Sequence, residues 1–133
     1  INKKEIIKSI LSNQKNLKKI IRIVHPIVRS KMKKFINKNK KKKIVILDVP
    51  LLLENKIKKK NYKLVFVDAK KKDIIKNLKK RKSYNPKMIK IFKKFQLPLK
   101  YKKKKSNFVI KNNFKAKPVK KSVKLLKNKI LNK

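Results

Sequence analysis

Two short apolar runs, KIVILDV at 43–49 and KLVFVDA at 63–69, constrain the fold of this chain more than any other feature. Each is continuous and rich in β-branched residues, and the first is ended by Pro50. That form is expected of a strand buried on both faces of a sheet. NFVIKN at 107–112 has the same character. Helical patterns fill the chain before and between these runs, so the alternation predicts an α/β domain built on a parallel sheet.

The helical stretches follow from spacing. Ile6, Ile7, Ile10 and Leu11 mark one, and Leu17, Ile20, Ile21 and Val24 a second, with Ser12 and Asn13 between them suited to a helix start. Pro26 predicts the first position of a third, carrying Val28, Met32, Phe35 and Ile36 on its buried stripe. Ile74, Ile75 and Leu78 predict a helix, as do Met88, Ile89, Phe92 and Phe95, the latter opened by Asn85 and Pro86. Val119, Val123, Leu126 and Ile130 predict one face of a last helix. The lysine tracts at 38–43, 56–60 and 100–105 read as loops or helix ends. At 133 residues one domain is expected, with no repeat and no Gly/Ser linker.

Charge raises the first functional question, since 47 Lys+Arg against 5 Asp+Glu give +42. A polyanion binder is the obvious reading. Its layout argues otherwise: only Arg22, Arg29 and Arg81 are arginines, and the lysines cover nearly every solvent-facing position instead of one block. Lysine is the weaker residue for bidentate contact with bases or phosphates, so nucleic-acid binding is expected to be non-specific. With no cysteine and His25 alone, neither thiolate chemistry nor a His-rich metal site is expected. No apolar run approaches 18 residues and no leader pattern opens the chain, so a soluble, cytoplasmic protein is expected, without contact to a membrane. Nothing in the sequence indicates an oligomeric state.

The candidate chemistry lies at predicted strand ends and helix starts. Asp48, Glu54 and Asp68 sit at or just after the C-terminal ends of strands, the edge where open α/β sheets bind ligands. Asp48, after four apolar residues, is placed as phosphoryl-transfer enzymes place a carboxylate toward a magnesium ion or its waters; Asp68, just before a helix, fits a capping role better. His25 precedes a proline, which biases it toward a helix cap. Arg29 lies one turn on, so the pair would face an anion at a helix N-terminus. Arg81, Lys90 and Lys102 surround a helix between two strands and could close over nucleotide phosphates. There is no glycine anywhere in the chain. A phosphate loop of the Walker type needs glycines to let its backbone wrap the phosphates, so these residues cannot supply one.

Taken in order, the motifs resemble those of the dephospho-coenzyme A kinases. HPIVR at 25–29 is similar to the family's His-Pro-x-Val-Arg stretch, and DVPLLLE at 48–54 to its Asp-Val-Pro-Leu-Leu-x-Glu strand end. FVDA at 66–69 resembles the next strand. Arg81, Ser83, Lys90, Gln96, Pro98 and Lys102 fall at the spacing of the family's lid, with Lys90 in place of an arginine. FVIKN at 108–112 resembles its last strand, although Ser106 and Asn107 replace Ala-Asp, Asn77 replaces a lid arginine and Asn113 stands near an expected glycine.

The resemblance implies a P-loop NTPase-type three-layer α/β/α fold lacking its first strands and phosphate loop. It implies a helical substrate-binding part at 1–40, core strands at 43–69, a lid at 70–105, and the last strand and helix at 106–133. The implied reaction is ATP-dependent phosphorylation of the ribose 3′-hydroxyl of dephospho-coenzyme A, with Mg2+ accompanying ATP. The implied roles are substrate binding for His25 and Arg29, a magnesium-side position for Asp48 without direct metal ligation, and phosphate cover for Arg81, Lys90 and Lys102. Asn112 and Asn113 would border the adenine. An upstream in-frame segment carrying G-x-x-x-x-G-K-[ST] is expected, and these residues alone are expected to be inactive and poorly folded. A different nucleotide kinase of the same fold and a basic nucleic-acid-binding protein are the alternatives.

Overall fold

The computed structural model describes residues 2–55, 57 and 62–132. Among them lie helices α1 (Lys3–Ser12), α2 (Lys15–Lys38), α3 (Lys71–Lys79), α4 (Pro86–Lys94), α5 (Leu99–Lys104) and α6 (Ala116–Leu131), and strands β1 (Val65–Asp68) and β2 (Phe108–Lys111). The chain divides into two units, Ile1–Pro50 with Pro86–Lys94, and Leu51–Asn85 with Phe95–Lys133.

The first unit is helical. Asn2 caps α1 by accepting from the Lys4 N–H at 3.0 Å and donating to Glu5 at 3.0 Å, which satisfies a donor otherwise left bare at a helix start. Asn13 plays the expected part before α2, its side chain accepting from the Lys15 N–H at 2.9 Å. Asn16 then ties α2 back to α1, donating to the Ser9 carbonyl at 3.0 Å. The buried apolar residues of the described chain are Ile10, Leu17, Met32, Met88 and Ile91, all on α1, α2 and α4. The core therefore belongs to this unit.

Pro26 does not open a third helix, as the spacing had suggested; it lies inside α2, which runs unbroken through it. Proline there removes one hydrogen bond to the Arg22 carbonyl and costs about 3 kcal/mol. The helix survives because its inward stripe does not pause at residue 26. Leu17, Ile21, His25, Val28, Met32 and Ile36 continue at helical spacing on both sides. This stripe also corrects two expected core positions, since Val24 and Phe35 are exposed, while His25 turns inward and Ile36 does so as expected.

The run at 44–49 forms no strand, against expectation. An apolar β-branched run becomes a strand only when its backbone finds a ladder partner, and among the described residues the sheet consists of β1 and β2 alone. Ile46 is left 83% exposed.

The second unit carries that sheet. β1 and β2 are parallel, with Val65 beside Phe108 and Asp68 beside Lys111. Side chain and backbone fasten both ends: the Leu64 N–H donates to the Asn107 side chain at 2.8 Å, and the Asn112 N–H to the Asp68 carbonyl at 2.7 Å. The connection between the strands includes α3 and α5, and α6 packs on β2. The lysine tract at 100–105, expected as loop or helix end, lies in α5 except for Lys105. On α6 the inward stripe is Val119, Ser122, Leu126 and Ile130, with Ser122 in the place expected for Val123. Parallel sheets are normally covered on both faces, yet Val65, Val67 and Val109 stay exposed. The lysine tract at 56–60 lies outside the described residues except for Ile57.

Among the described residues, Leu51 at φ 56° and Phe114 at φ 59° hold left-handed backbone although neither is glycine. Both sit in tight loops, and such a conformation costs roughly 1–2 kcal/mol for a residue with a Cβ. At Phe114 the strain is sustained by Asn112, whose side chain accepts from the Phe114 N–H at 2.8 Å. Phe114→Gly should therefore be more stable than Phe114→Ala by about 1 kcal/mol, the reverse of the usual order of these residues. Denaturant midpoints of the two variants check it; an alanine variant equal to or above the glycine variant would contradict the left-handed turn.

Candidate functional site

His25 and Arg29 lie one turn apart on α2, so their sharing of a helix face stands. Their expected location at a helix N-terminus does not. Lys15 opens the helix, leaving both residues in its interior, where the backbone N–H groups are already used within the helix. His25 is half-buried and Arg29 exposed. Any anion they meet is met by side chains and not by the helix end.

Asp48 is exposed on the irregular segment before Pro50, and it is not at the end of a sheet strand. Lys90 is exposed on α4. These two residues and the α2 pair belong to the first unit.

The second unit holds the other candidates. Arg81 follows α3 in a turn closed by the Tyr84 N–H on the Arg81 carbonyl at 2.9 Å, and its side chain is exposed. The C-terminal edge of the sheet is formed by Asp68 and by Asn112 and Asn113 in the loop to α6. The two asparagines shape that loop with their own side chains, Asn113 accepting from the Lys115 N–H at 3.1 Å. Asp68 does not cap α3, whose cap position is Lys70; its carboxylate pairs instead with Lys103 at 2.6 Å.

Lys102, expected over the phosphates, is held in an ion pair. Its ammonium lies 2.6 Å from Glu54, where both side chains are largely shielded. The same carboxylate oxygen accepts the Leu97 N–H at 2.9 Å. Burial pushes the Glu54 carboxyl up, but Lys102, the Leu97 N–H and its own backbone N–H together outweigh that and hold it below the usual 4.5. Sequence reasoning noticed Glu54 only as an acid near a strand end. Its pairing with a lysine 48 positions away (102 − 54) had no signal beyond both residues falling in family-like motifs.

A parallel β pair with helices in its connection makes the chain an α/β protein, and the family it matches is of the P-loop NTPase class. Within that class it belongs to the dephospho-CoA kinase family, whose family model matches residues 1–117. The dephospho-CoA kinase of Bartonella quintana is 30% identical over 112 residues, covering 83% of this chain and 57% of that protein. That of Bartonella henselae is 35% identical over 71 residues, covering 52% and 36%. That of Leptospira interrogans is 29% identical over 111 residues, covering 84% and 54%. The chain thus spans about half the length of the curated relatives it matches, or less. No solved structure matches it. No helix among the described residues is long and apolar enough to cross a membrane.

Proposed function

We propose that these 133 residues form the substrate-binding and lid portion of a cytoplasmic enzyme that uses ATP to phosphorylate the ribose 3′-hydroxyl of dephospho-coenzyme A. The family match over 117 residues carries this reading, with HPIVR and DVPLLLE in the family's order. A chain without glycine has no Walker loop of its own, so the phosphate cradle comes from residues outside these 133.

In this reading each group has one task. Arg29 and His25, on one face of α2, hold the dephospho-coenzyme A. Arg81 and Lys90 cover the ATP phosphates, and Arg81, which presents five donors in a fixed fork, stabilises the charge that builds on the transferred group. Asn112 and Asn113 border the adenine. The 3′-oxygen attacks the γ-phosphorus, the bond from that phosphorus to the β-phosphate oxygen breaks, and the hydroxyl proton passes to a base outside these residues. Bound magnesium would neutralise phosphate charge while keeping several waters, and the exposed Asp48 carboxylate would face those waters without ligating the metal directly. The lysine surface adds non-specific, salt-sensitive attraction to polyanions.

Arg29→Ala tests the substrate assignment. A charged hydrogen bond is worth about 1.5–3 kcal/mol, so in an enzyme completed by a phosphate-loop segment the KM for dephospho-coenzyme A should rise roughly 10- to 100-fold. The KM for ATP should hardly move. Steady-state kinetics with each substrate varied decide, and a rise confined to ATP would show that α2 faces the other ligand.

A further inference from the structure

One oxygen of Glu54 receives two donors that come from opposite ends of a single turn, the Leu97 N–H at 2.9 Å and the Lys102 ammonium at 2.6 Å. Only 12% of the Glu54 side chain and 20% of the Lys102 side chain are exposed. Another ion pair, Lys103 with Asp68, is far more open, at 50% and 36%. Between the two anchor points lie Pro98, which fixes φ at −53°, and the start of α5. The far side of the clasp is equally constrained: Asn55 donates backbone and side-chain N–H to the carbonyl of the left-handed Leu51, at 3.0 and 2.8 Å.

We infer that Glu54 is a positioning residue that fixes the Gln96–Lys102 turn, and that Lys102 serves the reaction through this turn and not as a ligand of the ATP phosphates. The inference rests on the kinase reading above. Two observations separate it from the simpler view of Lys102 as a phosphate cation. A lysine kept only for phosphate has no need of the neutral Leu97 N–H on the same oxygen. Transfer of the ammonium to a phosphate would also strand a shielded carboxylate without its counter-charge, which costs much more than opening an exposed pair. With the Glu54 pKa lowered, the charged clasp is complete above the ordinary carboxylate range and is lost only as pH falls through the lowered value. It is fully formed at neutral pH.

Two measurements test this. The first is amide exchange in the 133-residue chain with salt added, the condition under which it is expected to fold cooperatively. Glu54→Ala should speed exchange at Leu97 at least tenfold, while the Asn112 amide, held by Asp68 in the sheet, changes less than twofold. Glu54→Gln, which keeps an acceptor oxygen, should restore most of the protection, and in the unsubstituted chain Leu97 protection should fall on acidification below the usual carboxylate range. Unchanged Leu97 exchange in Glu54→Ala, or equal acceleration at Asn112 in both variants, overturns the clasp.

The second is kinetics in the enzyme completed by a phosphate-loop segment. Glu54→Ala and Lys102→Met should lower kcat by similar factors of about 10 to 100, the size of effect a misplaced group produces, with the KM for ATP within threefold. Opposite effects, Lys102→Met raising the KM for ATP and Glu54→Ala lowering it, would make Lys102 a phosphate ligand and refute the inference. Absence of turnover in the unsubstituted enzyme would sink the kinase reading alone, and Leu97 exchange would still decide the clasp.

Discussion

Arg81→Ala, introduced into an enzyme completed by a phosphate-loop segment, should lower kcat by about a hundredfold or more, the cost of losing one preorganised donor to a developing charge. The residue stands out physically. It is one of three arginines in a chain otherwise basic through lysine, and its exposed side chain leaves a turn fixed by backbone bonds on both sides, to Leu78 and from Tyr84. With Lys102 held by Glu54, Arg81 is the cation of the second unit best suited to the transferred group. Arg81→Lys keeps the charge but loses the fork, so it should recover only part of the rate. Single-turnover kinetics separate this loss from product release, and a kcat within twofold of the parent for Arg81→Ala would remove the residue from the chemistry.

The second large effect concerns the 133 residues by themselves, which should show no ATP-dependent phosphorylation of dephospho-coenzyme A. Supplying a strand and a G-x-x-x-x-G-K-[ST] loop should raise turnover by at least about 10³-fold, because catalysis of phosphoryl transfer is mainly positioning and charge stabilisation around the phosphates. Folding should respond as well. The described sheet has two strands, below the number usually needed for independent stability, and the buried apolar residues of the described chain all lie in the other unit. Self-repulsion at +42 works against both units. Thermal melts at low and high salt should show cooperativity only when salt is added; a sharp low-salt transition with measurable turnover would contradict both halves of this expectation.

Where the sequence was readable, local chemistry decided the structure. α3, α4 and α6 stand where apolar spacing placed them, and Pro86 opens α4 as a proline at a first helical position should. β1 and β2 pair in parallel as their β-branched runs suggested. The misses have physical causes. KIVILDV reads as a strand because side-chain pattern is local, but pairing is not, and no described strand lies beside 44–49. Pro26 reads as a helix start because proline is favoured there; the continuous stripe from Leu17 to Ile36 outweighed one lost hydrogen bond.

The candidate site was legible in its residue types more than in its arrangement. HPIVR pointed to the helical unit, yet nothing local showed that His25 would turn inward within α2. Lysine at 102 looked like one of many cations until its carboxylate partner, 48 positions away (102 − 54), was placed beside it. Contacts of that range are set by tertiary packing and leave no periodic trace.

The claim that these residues serve a dephospho-coenzyme A kinase is tested most directly by the identity of the phosphorylated acceptor. The enzyme completed by a phosphate-loop segment is incubated with ATP and dephospho-coenzyme A, or with nucleoside monophosphates in its place, and the products are read by mass and by phosphorus NMR. One phosphoryl group on the ribose 3′-oxygen of dephospho-coenzyme A, with none on the monophosphates, is the predicted result. Phosphorylation of a nucleoside monophosphate in preference to dephospho-coenzyme A, or of neither by a cooperatively folded enzyme, would contradict it.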